Sequence, residues 1–95
     1  MSKPISLGMC IAPDKVAQLA PGYDYLELAL SSTLVPLEDE AAYAAKGPLL
    51  QSLNPAVRAF NVFVAAQVKV VGEDVDWERV ESYVERGLRR AAKLG

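Results

Sequence analysis

The sequence predicts an α/β fold of three consecutive β-strand/α-helix units with parallel strands, a single domain over residues 1–95. Three observations predict it. Short apolar runs recur at residues 5–11, 25–30 and 57–63, each of strand length and bounded by Pro, Gly or Asn. Each run is followed by a segment with helical spacing and an acidic residue near its start. The links are short, and strands alternating with helices imply parallel pairing by right-handed crossovers. All three helices then lie on one sheet face, and the other face is open.

The composition narrows the class. Hydrophobic residues make up 52% and charged residues 23%, the balance of a globular chain. A net charge of −2 and a pI near 5.0 leave no basic footprint for nucleic acid. Cys10 is the only cysteine, so no internal disulfide can form, which suits a reducing, cytoplasmic setting. Residues 5–11 are far too few to span a bilayer and read as a strand, not a signal peptide, so no membrane partner is expected. Histidine is absent, which removes the commonest proton-transfer side chain near neutral pH and a common metal ligand.

Taken in order, residues 5–11 form the first strand, bounded by Pro4 and Pro13. Asp14 is placed to cap a short helix with Val16, Leu19 and Ala20 on its apolar stripe, and Pro21-Gly22 stops it. Residues 25–30 are apolar on both parities, as in a buried parallel strand, and Ser31-Ser32-Thr33 reads as a loop. Glu38-Asp39-Glu40 starts the second helix, where the macrodipole favours negative charge. Gly47-Pro48 interrupts that helix, since proline lacks the amide donor and clashes with the preceding turn. After Asn54-Pro55, residues 57–63 form the third strand and residues 64–72 a long connection. Asp74 or Asp76 caps the last helix, which ends near Leu94 with Gly95 as its stop. Val80, Tyr83, Val84, Leu88, Ala91 and Ala92 form its apolar stripe. Arg86, Arg89, Arg90 and Lys93 are assigned to a solvated face with Glu81 and Glu85, and Trp77 to packing with part of its ring exposed.

Alternation assigns Ser6, Gly8, Cys10, Tyr25, Glu27, Ala29, Ala59, Asn61 and Phe63 to the open face. Leu26, Leu28 and Leu30, with Arg58, Phe60 and Val62, are assigned to the helix side. Parallel strands are usually apolar on both sides, so Glu27 and Asn61, near strand C-terminal ends, point to the lining of a substrate site. The alternative for both is plain solvation on an uncovered sheet. Cys10, with no histidine or charge pattern to support a thiolate, reads as a small buried filler.

Tyr25-Leu26-Glu27-Leu28-Ala29-Leu30, then Phe60-Asn61-Val62-Phe63, Val70-Val71-Gly72, Val75-Asp76-Trp77-Glu78-Arg79 and Ala91-Ala92-Lys93-Leu94-Gly95 stand in an order that resembles the xylose isomerase-like TIM barrels. That family includes sugar phosphate isomerases and epimerases and the related apurinic endonucleases. The resemblance covers nearly the whole chain and implies a partial TIM barrel, its first three units out of eight. It matches Glu27 and Asn61 to the family's second-strand glutamate and third-strand asparagine, which help line the sugar or sugar phosphate pocket. The family's divalent metal, held by carboxylates and histidine, and its glutamate pair belong to later strands, so no cofactor, metal ligand or catalytic residue carries over. The link 64–69 is more apolar than the family's loop, and Gly47-Pro48 departs from its second helix.

The expected function is therefore that of an N-terminal fragment of a sugar isomerase or epimerase, inactive by itself. Proton transfer beside a carbonyl needs a base and a group that stabilises the enolate, and one carboxylate supplies at most half of that. The alternative is a self-associating structural module without catalysis, its open face and sheet edges covered by copies of itself as a dimer or higher homo-oligomer. If another chain completes the barrel, that chain has to donate the histidine.

Overall fold

A computed structural model describes residues 5–94, so Pro4 and Gly95, assigned above to a strand boundary and a helix stop, lie outside the described residues. The protein is a mixed α/β structure with one three-stranded parallel sheet in the order β1-β2-β3, formed by Gly8–Cys10, Tyr25–Ala29 and Val57–Asn61. The first crossover is a 3-10 helix, Pro13–Gln18, opened by proline in its first turn, with Asp14 inside that turn and not at the cap. Among the described residues four α-helices follow: α1 (Leu30–Thr33), α2 (Glu40–Ala44), α3 (Gly47–Gln51) and α4 (Trp77–Leu94). Among the described residues, no helix is long and apolar enough to cross a membrane.

Local chemistry accounts for most of these boundaries. The Asp39 carboxylate accepts from the Ala42 amide at 2.8 Å and caps α2, and the Asp76 carboxylate accepts from the Arg79 amide at 3.1 Å at the start of α4. Asp74, the other candidate cap, instead adopts a positive φ of 61°. The interruption at Gly47-Pro48 is real: α2 ends at Ala44, and Pro48 sits in the first turn of α3, where its missing amide costs nothing. Ser31-Ser32-Thr33 is not a loop but the body of α1, continuing directly from β2, with the Leu34 amide bonded to the Leu30 carbonyl at 2.8 Å.

The core lies on the helix side of the sheet. Leu26 and Leu28 of β2 pack with Val16 and Val57, while Leu30, Leu34 and Leu50 form a second cluster joined to the first by Leu53 and Phe60. Val57 and Phe60 both reach this core although strict alternation would separate them. A bulge explains it: Leu26 pairs with Val57 and Glu27 with Ala59, so Arg58 is an extra residue left exposed. The assignment of Arg58 to the helix side is corrected accordingly.

A second break of alternation follows Asn61. Val62 takes a φ of 45°, which ends the strand, exposes its side chain and turns Phe63 away from the open face. Phe63 packs instead beside Leu30 and Leu34 and meets the Tyr83 ring edge-on at 6.3 Å, so neither residue is where strand alternation assigned it.

The buried face of α4 is also rotated from the expected stripe. Tyr83, Gly87 and Arg90 are its buried residues, whereas Leu88 is 56% and Trp77 61% exposed. Gly87 lets the helix approach closely: an added Cβ would lie 3.3 Å from Leu30, 3.5 Å from Pro36 and 3.6 Å from Phe63. Arg90, assigned above to a solvated face, is only 1% exposed. Its guanidinium donates to the carbonyls of Leu34 (2.6 Å), Val35 (2.7 Å) and Glu38 (3.0 Å), and stacks on the Tyr43 ring at 4.4 Å. Arg86 adds bonds to the Pro36 and Glu38 carbonyls at 2.9 and 3.0 Å. A planar fork with five donors suits a turn whose carbonyls have no strand or helix partner.

Candidate functional site

The sheet face opposite the helices carries the side chains singled out for a site. Parallel register sets Gly8 beside Tyr25 and Cys10 beside Glu27 on one flank, and Glu27 beside Ala59 and Ala29 beside Asn61 on the other. Side chains two positions apart on neighbouring strands lie within reach of long groups. Ala29 and Ala59 are short, so the Asn61 amide can extend diagonally over β2. Its Nδ2 donates to Glu27 Oε2 at 2.6 Å and to Cys10 Sγ at 3.2 Å. One amide thus ties all three strands together on this face.

Both residues assigned to the site are brought together. Glu27 and Asn61 are half-buried. Cys10 is exposed, not a buried filler. It sits on an edge strand, which among the described residues pairs with β2 alone, a position that composition does not reveal. Tyr25 closes the near end of the face. Its ring occupies the space over Gly8, where any Cβ would overlap it, so glycine there is required by a close approach.

The arrangement has a defined chemical reach. It presents a carboxylate with one oxygen held by an amide, a thiol and an aromatic ring, a set suited to hydrogen-bonding the hydroxyls of a small polar ligand. It does not fit a divalent metal. A hard cation takes several oxygen ligands and zinc a histidine- or thiolate-rich set, whereas Glu27 is the sole carboxylate of this cluster. Among the described residues, no three His, Cys, Asp or Glu side chains gather to hold a metal ion.

Beyond the C-terminal ends of the strands, Lys46, Ser32 and Thr33 line a separate recess with Asp14. None of these four was singled out above as a ligand contact. Their gathering depends on α1 continuing straight from β2 and on the helix break before Gly47, a tertiary consequence with no motif in the sequence. The chain matches no family model, no curated protein and no solved structure.

Proposed function

We propose that the chain forms one wall of a sugar phosphate isomerase or epimerase-type barrel, in which Glu27 and Asn61 contact substrate hydroxyls and no proton transfer is completed by these residues alone. The observation that carries this reading is the Asn61–Glu27 bond on the sheet face opposite the helices, the face that would turn inward in a closed barrel. A carboxylate and an amide fixed against each other are pre-oriented for a polyol, and they lack a partner to stabilise an enolate. An exposed free thiol at Cys10 is compatible with a reducing, cytoplasmic setting.

The test is titration of the 15N-labelled chain with D-fructose 6-phosphate, followed by amide shifts and by solvent-proton exchange at the sugar carbon beside the carbonyl. Shifts centred on Cys10, Glu27 and Asn61, lost in Asn61→Ala and unaccompanied by exchange, are expected. Shifts confined to other parts of the chain, or none, would overturn the reading.

A second reading, a self-associating module, is favoured by shape. The chain measures 51 × 30 × 20 Å with a radius of gyration of 15.0 Å, against about 12.4 Å for a compact domain of this length. β1 and β3 are the outer strands of the sheet, and Ile5, Leu7 and Val62, close to their ends in the chain, are exposed. Bare strand edges and exposed apolar groups are commonly covered by symmetric pairing, so a homo-oligomer is part of both readings.

A further inference from the structure

The recess between the segment after β1, α1 and α3 has about 280 Å³ of volume, at the small end for a ligand site, so its occupant is a small molecule. Two opposite charges line it, Asp14 from the 3-10 helix and Lys46 from the turn before α3. Neither side chain forms an ion pair or hydrogen bond among the described residues. They therefore make no direct pair with each other across the recess. Leu49, Leu50, Ser32 and Thr33 line it as well.

Thr33 is the independent observation. It is only 4% exposed, lines the recess, and its hydroxyl has no hydrogen-bond partner among the described residues. Among the described residues Arg90 Nε, not this hydroxyl, is the fully buried side-chain polar atom without a partner, so the Thr33 hydroxyl is open to the recess and free to bond a ligand that enters it.

We propose that this recess binds a small zwitterion of the amino acid class, with its carboxylate held by Lys46 and the Thr33 hydroxyl, its ammonium by Asp14, and an apolar side chain against Leu49 and Leu50. Charge balance selects this class. A simple anion would bring its charge toward Asp14 uncompensated, and a simple cation would do the same toward Lys46, whereas a ligand carrying both charges satisfies both walls. Ser32, exposed and lining the recess, is a further donor to the carboxylate.

The site uses none of the side chains assigned to sugar contact, so its failure leaves that reading standing. The experiment is an amide-shift titration of the full 15N-labelled chain with three probes: L-valine, isovalerate, which lacks its ammonium, and isobutylamine, which lacks its carboxylate. L-valine is expected to shift Ser32, Thr33 and Leu50 and to half-saturate at about ten-fold lower concentration than either analogue. Asp14→Asn and Lys46→Met are each expected to raise that concentration about ten-fold while leaving the rest of the spectrum in place. Thr33→Val is expected to weaken L-valine more than isobutylamine. Isovalerate binding as tightly as L-valine would reduce the recess to an anion site, and the absence of saturable shifts with L-valine would remove the site altogether. Either result overturns the proposal.

Discussion

The Asn61 amide donates to the Glu27 carboxylate at 2.6 Å across β2 and β3, joining the two polar side chains that alternation had set on the same open face. Replacing Asn61 by Asp puts a second carboxylate in that contact. Two carboxylates so close cannot both ionise without repulsion, so the folded protein holds their shared proton more tightly than the unfolded chain does. Stability contributed by that proton is present at low pH and lost as pH rises through the raised folded value. Asn61→Asp should cost about 1–3 kcal/mol at neutral pH and recover on acidification, whereas Asn61→Ala should cost about 1 kcal/mol at either pH. Urea denaturation at pH 4 and pH 7 measures both.

Arg90 holds the 34–38 turn through carbonyl oxygens more than through its acidic neighbour. It reaches Glu40 at 3.2 Å, but the Glu40 side chain is 63% exposed, and an ion pair to an exposed partner is screened. Glu40→Gln should therefore cost under about 1 kcal/mol. Arg90→Met strips several charge-assisted bonds from buried carbonyls and should cost about 3 kcal/mol or more. Arg90→Lys should rescue less than half, because an ammonium cannot reproduce the fork. Equal losses for Glu40→Gln and Arg90→Met in urea melts at fixed protein concentration would contradict this account.

Tyr83 links α4 to the segment after β3. Its hydroxyl donates to the Phe63 carbonyl at 2.6 Å and accepts from the Ala65 amide at 3.1 Å. Burial pushes its ionisation up from the usual tyrosine value, and the Ala65 amide bond offsets part of that. Burial also raises Tyr43, partly offset by the Arg90 charge. A folded-state value above the unfolded one means stability that is complete below the unfolded value of about 10 and lost as pH rises beyond it. Stability should accordingly fall on the alkaline side of pH 10, and the fall should be shallower in Tyr83→Phe. That variant also leaves the Ala65 amide unpaired, so its melt at pH 7 should show a loss of about 1–3 kcal/mol.

Val62 combines a positive φ of 45° with 61% exposure, so its side chain contributes strain and little burial. A β-branched residue in that region costs about 1–2 kcal/mol relative to glycine, of which the greater freedom of unfolded glycine returns a part. Val62→Gly should raise stability by about 0.5–1 kcal/mol. A loss would mean that the Val62 side chain makes contacts that its exposure does not suggest.

Local chemistry wrote much of this fold openly. Period-two alternation set Glu27 and Asn61 together, proline chemistry split α2 from α3, and Asp76 capped α4 as its position suggested. Interactions distant in sequence stayed hidden. The bulge at Arg58 and the turn at Val62 are backbone departures that a valine or arginine does not announce. The burial of Arg90 depends on carbonyls more than fifty residues away, and the position of Cys10 at the sheet edge depends on strand order.

We propose that the sheet face bearing Glu27, Asn61 and Cys10 turns inward under a cover, supplied by a closed barrel or by another copy of the chain. Light scattering over a wide concentration range, with circular dichroism on the same samples, tests it most directly. The account predicts a dimer or larger assembly whose folding follows association. A well-folded monomer persisting at the lowest concentration would contradict it.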